Sequence, residues 1–216
     1  MGAEDYFACI IPALYLLGKE EGLDFYEKLY HEVGERVRNG VGVISDERYR
    51  LAFFGIPLWF NLGIFNYLER LGAIVVFEQA YYVGPFFEVN LDDPFEGLVE
   101  RIWRKACWNH QTSIEACPEI CNPNSMAAVG SKFVVQLISG HGIDGALFHR
   151  THTCRAMSWG QIHYQRVLGK EGIPTHIFES DMAHPRSWSD ARIKSQLESF
   201  IETVEQSKKE RTKRMN

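Results

Sequence analysis

Few features of this 216-residue sequence are extreme, and the absences narrow what it can be. No stretch approaches the ~18 consecutive apolar residues that a membrane helix needs, so no membrane association is expected. Neither charge sign dominates: 23 Lys and Arg face 28 Asp and Glu, a net charge of −5. That balance leaves no basic footprint for nucleic acid. The first residues, Met1 to Asp5, are acidic where a signal peptide would be basic, and Gly2 lacks the Ser or Thr of a myristoylation motif. Internal repeats and low-complexity segments are absent. The expectation is a soluble, cytoplasmic protein.

Cysteine is scarce and odd in number. The five thiols, Cys9, Cys107, Cys117, Cys121 and Cys154, follow no secreted disulfide framework, which leaves core filling, metal ligation or reactivity. Cys9 and Cys107 lie in amphipathic helical runs and read as core. Cys117 and Cys121 sit in a polar loop with CxxxC spacing, a weaker metal signal than CxxC, and no second pair accompanies them.

What is present is an alternation of short apolar runs with helical periodicity. The first ~45 residues carry helical spacing, through residues 6–17 and again through Leu23, Tyr26, Leu29, Tyr30 and Val33. Four strand candidates follow: residues 49–54, 73–78, 145–148 and 175–179. A helix covering Leu58, Leu62, Phe65 and Leu68 separates the first two, with Gly72 suited to the position just past its end. Asp93 and Pro94 mark a strong helix start ahead of the stripe Phe95, Leu98, Val99, Ile102 and Trp103. Another helix is expected from Asn122 to about Gly140, one over residues 158–168, and a last one carrying Ile193, Leu197, Phe200, Ile201 and Val204. Strands that alternate with helices imply an α/β fold, a doubly wound parallel sheet of about four strands of flavodoxin or Rossmann type, preceded by a helical segment. The expected division is a helical leader or connector over residues 1–45, an α/β domain over 46–207, and a basic tail over 208–216.

Open α/β sheets place ligands at the carboxyl ends of their strands. That edge should gather Gly55 to Trp59, Glu78 and Gln79, His149 to Cys154, and Glu179 to Asp181. The blander readings are strand termination for Gly55 and Pro57, solvent-facing strand ends for Glu78 and Glu179, a turn for His184, and core for Trp59. Cys154 differs, because Thr, His and Arg surround it and no apolar context accounts for a buried thiol. Three chemistries fit it: zinc ligation by His149, His152 and Cys154, a cysteine nucleophile beside His152 in an acyl transferase, or one ligand of an iron–sulfur cluster. Extended alternation sends His152 and Cys154 the same way and His149 elsewhere, which counts against zinc.

The ordered motifs Asp144-Gly145, Thr153-Cys154-Arg155-Ala156-Met157-Ser158-Trp159-Gly160-Gln161, Gly172-Ile173-Pro174 and Glu179-Ser180-Asp181-Met182 share one setting. With Gly55 to Trp59, Gly72-Ala73 and the final helix ending Phe200-Ile201-Glu202, they resemble the 2-hydroxyacyl-CoA dehydratase / benzoyl-CoA reductase family. The resemblance covers roughly residues 48–206. It implies a subunit carrying a [4Fe–4S] cluster held by three cysteines, with Cys154 the last of them. Glu179 and Asp181 would then line the same cleft, and His152, which flanks Cys154, is the third candidate catalytic residue. Implied partners are a related or identical subunit forming a dimer, an ATP-hydrolysing activator that delivers a low-potential electron, and an acyl-CoA or aromatic-CoA thioester as substrate. The outcome would be loss of a hydroxyl or reduction of an aromatic ring. Such subunits are about twice as long and carry the other cluster cysteines in a preceding domain, and Gln196 stands where many have arginine. The chain therefore reads as a C-terminal portion, a split subunit or a degenerate copy. The rival is a non-catalytic α/β protein that binds a partner subunit or a structural zinc.

Overall fold

A computed structural model describes residues 1–80, 88–115, 140–158 and 160–215. Two helices lead, α1 (Ala3–Tyr15) and α2 (Glu20–Arg38). Then come β1 (Tyr49–Phe54), α3 (Gly63–Arg70), β2 (Ala73–Glu78), α4 (Pro94–Glu115), β3 (Gly145–Thr151), the single turn α5 (Arg155–Ser158), α6 (Gln161–Lys170), β4 (Thr175–Ser180) and α7 (Asp190–Met215). The four strands form one all-parallel sheet in the order β2-β1-β3-β4. The expected α/β class and four parallel strands are therefore present.

Strand burial explains why apolar runs rather than alternating ones build this sheet, since both faces are covered. On one face Leu51, Phe53, Leu147 and Phe178 pack with Phe7 of α1, Phe65 and Leu68 of α3, and Ile193, Leu197, Phe200 and Val204 of α7. On the other, Ala52, Phe54, Ala146 and Phe148 meet Leu168 of α6, and Phe54 stacks on Phe148 with centroids 4.8 Å apart. Each fully buried large side chain contributes roughly 1.5–3 kcal/mol.

The structure adjusts several expected boundaries. Helix α3 starts at Gly63 rather than Leu58, because Leu58 is buried in the preceding turn. The helix expected over residues 158–168 begins at Gln161 as α6 and runs to Lys170, and Ser158 instead ends the separate turn α5. Asp93 Oδ1 does accept from the Glu96 N–H (3.1 Å), as its capping position implied. The α4 stripe from Phe95 to Trp103 is exposed. Residues 208–215, expected as a tail, continue α7, where Lys208 and Arg211 both reach Asp144. The helix expected over 122–140 lies largely outside the described residues, as do Cys117, Cys121 and the Cys107 side chain.

Helix α1 docks through Phe7, whose ring meets Phe65 at 5.5 Å. Glu4 hydrogen-bonds Glu69 of α3, and burial first, then that carboxyl neighbour, push Glu4 up to about 7 from an ordinary 4.5. The folded state thus binds this proton more tightly than the unfolded chain. Its stabilisation is complete below about pH 4.5 and is lost as pH rises through about 7. Thermal unfolding at pH 5 and pH 8 should show a larger drop in wild type than in Glu4→Gln. Equal drops would remove Glu4 as the cause.

Candidate functional site

The carboxyl ends of β1, β3 and β4 converge on one corner, and backbone hydrogen bonds hold the segments that leave them. Trp59 N–H donates to Met182 O (3.1 Å), and His152 N–H donates to Ser180 O (3.0 Å). Ser158 Oγ–H closes the Cys154 loop by donating to Thr151 O (3.1 Å). Cys154 is a free, half-buried thiol on this loop.

Beside it stands a charge cluster. Arg150 and Glu179 are register partners on neighbouring parallel strands, so their side chains share a face. Arg150 Nη1 donates to Glu179 Oε1 at 2.9 Å. His152 Nε2 approaches Glu179 Oε2 at 3.9 Å. Glu179 is solvent-facing, as expected, and its cluster borders a cleft of about 330 Å³ lined also by Arg192 and Gln196. Gln196 hydrogen-bonds His176, while Arg192 and Arg150 supply guanidinium groups to that cleft.

Asp181 is committed to the turn after β4. Its Oδ1 accepts from the Ala183 N–H (2.8 Å) and the His184 N–H (3.0 Å). Those two backbone bonds, together with a hydrogen bond to Thr153, hold its carboxyl below the usual aspartate range. Its place is at the corner, with its charge fixed as an anion that orients the loop. His184 is a turn residue, its Nδ1 accepting from the Arg186 N–H at 3.0 Å.

His149 departs most from expectation. An end to the strand at Phe148 would leave His149 in the loop. The ladder with β4 runs on to Thr151↔Ser180, because backbone pairing is indifferent to side-chain polarity. His149 is consequently buried, stacked on Phe178 at 5.2 Å, with Nδ1 2.5 Å from Ile56 O. Burial lowers its pKa from 6.5, partly offset by the Ile56 and Ser180 backbone. It shares no cluster with His152 and Cys154. Among the described residues no three His, Cys, Asp or Glu side chains could hold a metal ion together. Glu78, expected to face solvent, is buried, and Trp59 is part-exposed while its ring packs on Phe7. Cys9, expected as core, is half-buried between α1 and α2, and burial pushes its thiol up.

Arg150 and Gln161 lie within stretches that the sequence marks, but neither is given a role there. Arg150 is detectable as the cross-strand neighbour of Glu179 once the register is known. Gln161 closes the Thr153–Gln161 motif, but its partner is visible only in the structure, where its Nε2 donates to His149 O at 2.9 Å.

Among known families, the one described as 2-hydroxyglutaryl-CoA dehydratase, D-component, matches residues 1–204. A benzoyl-CoA reductase subunit of Thauera aromatica is 27% identical over 198 residues, covering 88% of this chain and 43% of that protein. The (R)-2-hydroxyisocaproyl-CoA dehydratase alpha subunit of Clostridioides difficile is 24% identical over 215 residues, 97% of this chain and 48% of that protein. The (R)-2-hydroxyglutaryl-CoA dehydratase alpha subunit of Acidaminococcus fermentans is 27% identical over 208 residues, 93% and 39% respectively. The chain thus spans less than half the length of each of these relatives.

Proposed function

The chain belongs to the 2-hydroxyglutaryl-CoA dehydratase, D-component family, and from that membership we propose that it forms part of an iron–sulfur subunit of a 2-hydroxyacyl-CoA dehydratase or benzoyl-CoA reductase. The observation that carries this reading is a free, part-exposed thiol, Cys154, on a hydrogen-bonded loop at the carboxyl ends of a parallel sheet.

The donor set fits a [4Fe–4S] cluster as one contributor among several. Cys154 offers a thiolate ligand, and no second thiol stands with it among the described residues. The remaining ligands would come from elsewhere in the assembly. When bound, the cluster supplies one-electron transfer whose potential is set by charge, hydrogen bonding and exposure. The protein's own groups do the rest. His152 Nε2 and Glu179 Oε2 can hold a proton at the rim of the cleft, and Arg150 fixes the carboxylate that takes it. Asp181 stays anionic and anchors the turn facing the Cys154 loop. The activity then belongs to a cytoplasmic assembly: this chain, a related or identical subunit, an ATP-hydrolysing activator, and an acyl-CoA or aromatic-CoA thioester as substrate.

The test is iron, acid-labile sulfide and zinc content after strictly anaerobic purification of the chain with its partner subunit, compared with Cys154→Ala. Iron with matching sulfide, falling to background in the variant, is the expected result. Iron unchanged in Cys154→Ala would sink the ligand assignment. Zinc in place of iron, or no metal in either protein, would favour the non-catalytic partner-binding reading.

A further inference from the structure

His149, Thr151 and Ser180 form a buried polar patch that the proposed chemistry does not use. They lie on adjacent strands and on one face: Thr151 pairs in register with Ser180, and His149 sits one side-chain repeat back along β3. Their relative exposures are 0%, 4% and 0%. His149 Nε2, Thr151 Oγ1 and Ser180 Oγ have no hydrogen-bond partner among the described residues. The Ser180 backbone lies near the imidazole but outside hydrogen-bonding geometry. Buried polar atoms are almost always partnered, and here three side chains on one face of two adjacent strands lack a partner.

His149 sets the polarity of whatever fills that need. A carbonyl oxygen can only accept, so the contact with Ile56 O places the ring proton on Nδ1. Burial keeps the ring neutral at physiological pH. Nε2 therefore presents a bare lone pair and requires a donor. Each hydroxyl offers one donor and two acceptor lone pairs, and none of the three groups is itself charged. A single water matches that set of donors and acceptors, because buried waters typically make about three hydrogen bonds to otherwise unsatisfied groups.

We propose that His149 Nε2, Thr151 Oγ1 and Ser180 Oγ together bind one internal water molecule, which donates to the imidazole and bridges the two hydroxyls. That water joins the carboxyl ends of β3 and β4 to the Ile56 turn through His149. Its residues are distinct from the cluster and proton-handling groups, so it stands or falls separately from the proposed function.

Two measurements on the full chain test it. A high-resolution crystal structure should show one ordered water within about 3.2 Å of all three atoms. Nitrogen-15 spectra of the His149 ring should show a neutral imidazole protonated at Nδ1. In Thr151→Val and in Ser180→Ala, the number of long-lived internal waters seen by oxygen-17 relaxation should fall by one. The proposal is overturned if both hydroxyls turn onto main-chain carbonyls with no density between them. It is equally overturned if Nε2 carries the proton, or if neither variant loses a water. The crystal and ring spectra use the unaltered protein, so a variant that fails to fold leaves the question decidable.

Discussion

Gly55→Ala is expected to destabilise the protein by about 4 kcal/mol, a large share of the roughly 5–15 kcal/mol that holds a typical domain folded. Gly55 ends β1 with φ +111°, a conformation in which a side chain is strained by about 1–3 kcal/mol. A Cβ there would also stand 2.4 Å from the carbonyl oxygen of His149, which is main chain in the adjacent strand. The sheet cannot yield locally, because that same carbonyl accepts from Gln161 and its residue holds the Ile56 turn. Urea unfolding midpoints give the measurement. Gly169→Ala is the control: nothing lies within 4 Å of its added Cβ, and alanine favours a helix by up to about 1 kcal/mol. A Gly55→Ala midpoint equal to that of Gly169→Ala would refute the close-approach account.

Asp144→Ala should cost about 2 kcal/mol, the loss of charge-assisted hydrogen bonds to a buried carboxylate whose Lys208 and Arg211 partners stay open to solvent. The carboxylate is 7% exposed and lies at the amino end of β3, the end remote from Cys154. It accepts from the Arg50 N–H (3.1 Å), Lys208 Nζ (2.8 Å) and Arg211 Nη2 (3.2 Å). Truncation leaves the Arg50 N–H without its acceptor and loosens the last turns of α7, which keep Lys208 on Arg48 O (2.8 Å) and Arg211 on the Gly172 and Asp144 carbonyls (3.2 and 3.4 Å). Asp144→Asn keeps an oxygen for the Arg50 N–H and should lose clearly less. Hydrogen exchange over residues 208–215 reports the second effect, with faster exchange expected in Asp144→Ala. Unchanged protection there, with unchanged stability, would mean that the Lys208 and Arg211 pairs contribute nothing.

The same position shows how a motif can mislead. Asp144-Gly145 opens the stretch that carries the family resemblance, yet both residues serve the sheet rather than the chemistry. Gly145 is tight because a Cβ would meet Val204 Cγ2 at 2.7 Å and Phe200 Cζ at 2.9 Å. Glu179-Ser180-Asp181, by contrast, reaches the carboxyl corner and divides its labour there. Glu179 faces the cleft, Ser180 is buried, and Asp181 is spent on a turn.

Strands β1 and β2 have the bounds of their apolar runs, because a strand buried on both faces needs apolar side chains along its length. That relation fails for β3. Its last three residues are polar, so the apolar run ends at Phe148 although the ladder continues to Thr151. The difference matters for function, since a strand ending at Phe148 would place His149 in a loop where three ligands could gather. Extended alternation, legible from sequence, does separate His149 from His152.

Composition, the alternation of apolar runs with helical periods, and the ordered motifs thus determined the α/β class, the parallel four-stranded sheet and the family. These are properties of one-dimensional pattern, because burial and periodicity act residue by residue along the chain. Only the tertiary structure decided which polar residues face inward. Register brought Arg150 to Glu179 and Thr151 to Ser180, and long-range packing brought Ile56 to His149 and Asp144 to Lys208 and Arg211. Pairings across 29 to 94 positions leave no periodic trace in a sequence, since they depend on where two distant backbones come to lie.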